Sequence, residues 1–285
     1  MALDGMYFHY VDKFVFALAR LGEALGGAGT RRGERIVNEA RALVLDVHDL
    51  FVEREEETAT IARNAAGVSR KRKPPCVGIR WKLNADGTPV RGLPPTRLSS
   101  DAVSGAVAWS AASRLAERVG GAEPGETLRR ETDDMRDMAT RLRPAVSLDP
   151  LGWGVQMWES QWFPAAEELA ERRGREWGAF AAALRASARV PGGDFAAPRR
   201  PGRLDELPFR AYGALLGARV GGSRDLAETA AGAARDAARA ELAGLGEVSS
   251  AAPRSDGLTA INRVMLASAL DPLAFRRLED EPCIL

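Results

Sequence analysis

The sequence predicts a mainly α fold: a helical bundle with a small β-hairpin insertion and a partly extended, helical C-terminal region. Three observations predict it. Ala, Arg, Gly and Glu are abundant while only 6% of residues are aromatic, a mix that favours helices joined by Gly- and Pro-marked loops over β-sandwiches. Apolar residues recur at spacings of three and four along most of the first half of the chain, which is the period of a helix face. One segment, Val77 to Val90, switches to period two, the spacing of a strand. With 285 residues, 45% of them hydrophobic, the chain can bury a substantial core.

The elements follow in order. Val11, Phe14, Leu18, Leu21 and Leu25 share one face of a first helix that ends at Gly26 and Gly27. Ile36, Ala40, Leu43, Val47 and Leu50 repeat the pattern, so the two segments predict an antiparallel pair joined by the GGAGTRRG turn. The charged run Glu53 to Glu57 predicts a solvated extension of the second helix. Pro74 and Pro75 then stop any helix, and Val77, Ile79, Trp81 and Leu83 alternate with Gly78, Arg80 and Lys82 before an Asn84-Ala85-Asp86-Gly87 turn. This hairpin is expected to put Arg80 and Lys82 on a face opposite the apolar set.

A third helix is expected from the capping residues Ser99, Ser100 and Asp101 to Gly120, and a fourth from near Glu126, with Leu128, Met135, Met138, Leu142 and Val146 as its stripe. Trp153, Trp158 and Trp162, with Leu169, Trp177, Phe180 and Leu184, are expected in the core. After Ala188 the stretch VPGGDFAAPRRPGRLDELP has no sustained period and predicts an arm, with further helices at residues 224–245 and 258–270. The expected division is a bundle core over 1–187, carrying the basic hairpin at about 70–92, and an assembly region over 188–285.

Composition limits the function. Lys+Arg number 40 and Asp+Glu 39, a net charge of +1, so polyanion binding must rest on local clustering. Cys76 and Cys283 form no CxxC pair, and His9 and His48 stand alone, so neither a disulfide framework nor a zinc site is expected. The cysteine usage fits a reducing compartment. No leader pattern, membrane-length apolar run or prenylation signal is read, and a cytoplasmic protein with no membrane partner is expected.

No complete catalytic constellation is found, no cofactor is expected, and no metal site is assigned. Asp133-Asp134-Met135-Arg136-Asp137 resembles the aspartate-rich DDxxD motif of class I isoprenoid synthases, which implies magnesium and a diphosphate substrate. The same residues also read as a ladder of i, i+4 charge pairs, Arg129–Asp133–Asp137–Arg141 and Glu126–Arg130–Asp134, with the aspartates turned away from the apolar stripe. GGAGTRRG lacks the strand before it and the Lys-Ser/Thr after it that a phosphate loop needs. Residues 60–69 resemble the first half of a helix-turn-helix, which implies a DNA-binding regulator, but RKRKPP stands where the recognition helix should follow.

The strongest functional signal is cationic: Arg70, Lys71, Arg72 and Lys73 run directly into the hairpin bearing Arg80, Lys82 and Arg91, a surface suited to phosphate backbones. The order of parts over residues 8–150, and the stretch GETLRRETDDMRDMATRLR, resemble the four-helix-bundle coat proteins of rod-shaped and filamentous RNA viruses. That resemblance implies a non-enzymatic RNA-binding coat or nucleoprotein, single-stranded RNA as partner, self-association along it, and a virion location for a viral chain. It also implies that Arg129, Arg130, Arg136 and Arg141 touch phosphates while Asp133 and Asp134 temper the charge. A near-neutral subunit suits a polymer, because strongly cationic copies would repel one another.

Overall fold

The computed structural model describes residues 5–55, 75–96, 99–119, 128–187 and 209–220, with short stretches at 228, 231–232, 268, 275–278 and 283–284. Its architecture is mainly α-helical with a small β component, as the sequence predicts. The chain divides into two compact units, one of residues 1–144 with Ile284, the other of residues 145–283 with Leu285. By this division the tryptophan-bearing helices expected in a 1–187 core belong to the second unit.

In the first unit, α1 (Phe8–Ala24) and α2 (Arg31–Phe51) form the expected antiparallel pair. Gly26, at φ 96°, ends the first helix in the left-handed region that a side chain would strain. Thr30 caps the second, its hydroxyl accepting from the Gly33 amide at 3.0 Å. The pair closes tightly because two glycines meet where it begins: a Cβ on Gly22 would lie 2.6 Å from Val37, and one on Gly33 would lie 2.6 Å from the Gly27 carbonyl. α3 (Ser99–Val119) is the central helix, with Ala102, Val103, Ala106, Val107, Trp109, Ala112 and Leu115 all buried. α4 (Arg129–Arg141) lays Met135, Met138 and Ala139 against it.

The β segment differs from a local hairpin. β1 (Met6–Tyr7), β2 (Val52–Arg54), β3 (Cys76–Ile79) and β4 (Lys82–Leu83) form two separate two-stranded sheets, in which β4 pairs antiparallel with β1 and β3 with β2. Residues 76–83 therefore cross from the end of α2 to the start of α1 and staple the open end of the helix pair. The Asn84–Gly87 turn does form, with the Gly87 amide 2.9 Å from the Asn84 carbonyl, but the return strand is reduced to a single Leu83–Pro89 bridge. The reason is competition for partners: each helix of the pair leaves an extended neighbour beside it, and the Arg80 amide bonds Phe51 O at 2.8 Å while the Phe8 amide bonds Trp81 O at 2.9 Å. For the same reason Val52 to Arg54 form a strand and do not prolong α2.

In the second unit, α5 (Pro150–Glu159) starts on an Asp149 cap that accepts from Gly152 N at 3.0 Å, with proline at its first position. It packs against α8 (Phe209–Val220), a helix that the sequence reading placed no element on. α6 (Ala166–Arg173) and α7 (Arg175–Ser187) pack together across Gly174. Trp153, Trp158, Trp162, Trp177 and Phe180 are buried, as expected, and Trp158 Nε1 donates to Phe275 O at 2.9 Å. The arm from residue 188 to 208 and nearly all of the two later expected helices lie outside the described residues.

Candidate nucleic-acid interface

One arc of α4 faces the core, and at 100° per residue the opposite arc carries Arg129, Asp133, Arg136, Asp137 and Arg141. Arg129 is the most open, its side chain 86% exposed, with its guanidinium 3.9 Å from Asp133. Arg136 also reaches Asp133 at 3.9 Å and donates to Ser110 Oγ at 3.3 Å. Arg141 is exposed, and its Nε donates to the backbone carbonyl of Asp137 at 3.2 Å, not to a carboxylate. Of these contacts Arg129–Asp133 is a rung of the ladder read from the sequence, whereas Arg136–Asp133 is an i, i+3 pair and Arg141 meets a carbonyl; both ion pairs are long. An exposed ion pair contributes only about 0–1 kcal/mol, so an incoming phosphate oxygen can displace an aspartate from such an arginine at little cost.

The inner edge of the same helix is different. Arg130 is held at 2.8 Å by Asp49 and at 2.6 Å by the buried Glu131, and not by Asp134 one turn on. Asp134 is turned inward with its side chain only 15% exposed, where the sequence reading had the aspartates pointing away from the core side. It accepts from Arg54 at 2.6 Å and lies 3.2 Å from Nε2 of the fully buried His48. The other ring nitrogen of His48, Nδ1, is 3.1 Å from Trp109 Nε1. An indole N–H can only donate, so Nδ1 is the acceptor, and the imidazole proton sits on Nε2 and is donated to Asp134.

Arg54 ties this network together, donating also to Asp49 at 3.2 Å and to the buried Cys76 sulfur at 2.8 Å. Burial works against the Arg54 charge, but Asp134, Cys76 and Asp49 more than offset it and raise its pKa. Burial likewise works on Asp49, pushing its pKa up, yet hydrogen bonds from Arg130 and Arg54 prevail and hold it below the ordinary carboxylate value. Arg130 is raised in the same way, desolvation being outweighed by Asp49 and Glu131. This network joins α2, β2, β3, α3 and α4, and its members are committed to one another.

The expected cationic face of the β segment is largely used up as well. Arg80 donates to Leu50 O at 3.2 Å and Val52 O at 3.3 Å, satisfying carbonyls that the end of α2 leaves without partners. Lys82 donates to the Tyr7 hydroxyl at 2.8 Å, across the β1–β4 ladder. Arg91 is exposed in a turn. Arg70, Lys71, Arg72 and Lys73 lie outside the described residues, as does the helix-turn-helix-like stretch at 60–69.

Asp133 and Asp134 thus face different surroundings, each already beside cations, which does not suit a shared magnesium site; among the described residues no group of His, Cys, Asp and Glu is placed to hold a metal. No described helix is long and apolar enough to cross a membrane. Sequence reasoning missed the His48–Trp109 pair, although His48 falls on the same helix face as Val44 and Phe51, which is a signal for a buried imidazole. It also missed a cluster of rings at the start of α1. Tyr7 packs on Trp81 with centroids 5.1 Å apart, and His9 on Tyr10 at 4.3 Å. The fold and these surfaces define a mainly helical protein with a mixed-charge helix face. No protein-family model matches the chain, and no curated protein or solved structure matches it.

Proposed function

We propose that this chain is an RNA-binding structural protein that takes single-stranded RNA on the outer arc of α4 and self-associates along it. The observation that carries this reading is the set of loosely paired arginines, Arg129, Arg136 and Arg141, on one exposed arc with carboxylates between them. Guanidinium groups match phosphate oxygens in shape and charge, and the interspersed Asp133 and Asp137 keep neighbouring copies from repelling one another. Arg130, Arg80 and Lys82 serve the fold first, so the expected contact set is narrower than the sequence suggests, with Arg91 as an outlying member.

Titration of the full chain with single-stranded RNA at several salt concentrations tests this. Each phosphate contact should add about 0.7 to the slope of log affinity against log salt. Arg129→Ala combined with Arg141→Ala should lower the slope by roughly 1.4, for two contacts. Arg80→Ala should reduce stability and leave the slope intact. Salt-independent affinity, or none, overturns the reading. Negative-stain microscopy of the protein with RNA should show rods or filaments, and discrete particles would remove the self-association.

A further inference from the structure

The ring cluster at the start of α1 is not explained by packing alone. The β1–β4 ladder places Tyr7 opposite Lys82 and next to Trp81. The first turn of α1 adds His9 and Tyr10, whose centroids lie 5.6 Å and 5.5 Å from Tyr7. The cluster is built from two elements distant in sequence, and its outer part is open: His9 is exposed, Tyr10 is 56% exposed, and Phe14, one turn further along α1, is 57% exposed. Contiguous aromatic surface in water is unfavourable unless something covers it.

The charge beside the rings selects what covers them. The Lys82 ammonium lies 4.6 Å from the Tyr7 centroid and bonds its hydroxyl. A cationic guest, such as a quaternary ammonium, would meet that ammonium at the ring it needs. A ligand with a flat π-face and a negative charge beside it meets no such conflict, because stacking uses the rings and the positive charge that Lys82 holds at Tyr7 attracts the anion without leaving its partner. Packing against Tyr7 and Tyr10 desolvates the inner side of the His9 ring and lowers its pKa, an effect that Asp12 opposes and Lys13 reinforces. The lowered pKa means that the imidazole takes up its proton, and with it a positive charge, at a lower pH than a free histidine.

We propose that the exposed ring of Tyr10, with His9 tilted 59° against it and Tyr7 and Trp81 behind, stacks an unpaired nucleobase, the Lys82 ammonium held on Tyr7 lending positive charge to the strand. This rests on the RNA reading above and adds a base-dependent contact to its phosphate contacts. Stacking on one aromatic side chain is typically worth about tenfold in affinity, and it releases no counterions, so it changes affinity without changing the salt slope.

The test uses the full chain and two strands of equal length and charge, an oligouridine and its abasic counterpart, at fixed low salt. The oligouridine should bind about tenfold tighter. Tyr10→Ala should bring it down to the abasic level with an unchanged salt slope, and Tyr10→Phe should restore the difference. Equal binding of both strands by the unaltered chain, or a base preference that survives Tyr10→Ala, overturns the platform while leaving the arginine surface standing. Failure of both strands to bind overturns the RNA reading and the platform with it. A concentration-dependent dimer lost in Tyr10→Ala, with base preference unchanged, assigns the rings to a contact between copies and overturns the platform.

Discussion

At the scale of single residues, Trp109 sets the state of His48. Its indole N–H occupies Nδ1 from inside the core, which leaves Nε2 as the donor to Asp134, and through Asp134 the imidazole joins the guanidinium of Arg54. Trp109→Phe keeps a ring and removes the donor, leaving a buried acceptor without a partner at a cost of about 1–3 kcal/mol, in addition to the lost ring volume. A urea midpoint equal to that of the parent protein would sink this account. Asp101 offers a second residue-level measurement. Burial at the start of α3 pushes its pKa up, with Asp12 adding to the shift and the Thr96 hydroxyl and Lys13 opposing it. A carboxyl whose folded pKa is raised contributes stability at low pH, and that contribution is lost as pH rises through the folded value. Asp101→Asn should therefore gain on the parent as pH climbs from the ordinary carboxylate value through the raised one, read as a difference between their urea midpoints that moves in the variant's favour; a difference constant with pH would refute the shift.

At the scale of elements, the β segment marks the limit of local reading. Period two was visible in Val77 to Leu83, and the Asn84–Gly87 turn was legible from its residue types. The partners were not, because pairing with Met6–Tyr7 and Val52–Arg54 depends on where two helices end in space. Arg80 and Lys82 were legible as cations and illegible as caps and ring neighbours for the same reason. The helix pair, α3 and the core stripe of α4 followed from period alone, since burial on one face leaves its mark in one segment. The α5–α8 contact left no such mark. It turns on glycines: a Cβ on Gly154 would lie 2.2 Å from Gly213 O, one on Gly217 would lie 2.4 Å from the Gly154 Cα, and the Leu151 side chain packs where a Cβ on Gly213 would stand. Small residues four apart on α8 let two backbones touch, a device that hydrophobic periodicity does not detect.

At the scale of the whole molecule, the chain divides into two compact units, and each can be probed by a lesion of its own. Gly217→Leu forces a side chain into the α5–α8 contact, where overpacking costs typically about 1–3 kcal/mol. Hydrogen exchange should quicken in residues 150–187 and 209–220 while α3 keeps its protection; equal loss in α3 would show that the units open as one. The staple of residues 76–83 has a further consequence, which concerns time. α1 and α2 are contiguous and can meet as soon as both have been synthesised, whereas β1 must wait for β4, some seventy-five positions later, before its ladder can close. Contacts so distant in sequence slow the search for the native state. On the ribosome, then, the first helix pair passes through an interval with its open end unpaired, and Tyr7 stays without Trp81 and Lys82 until the chain has grown past them.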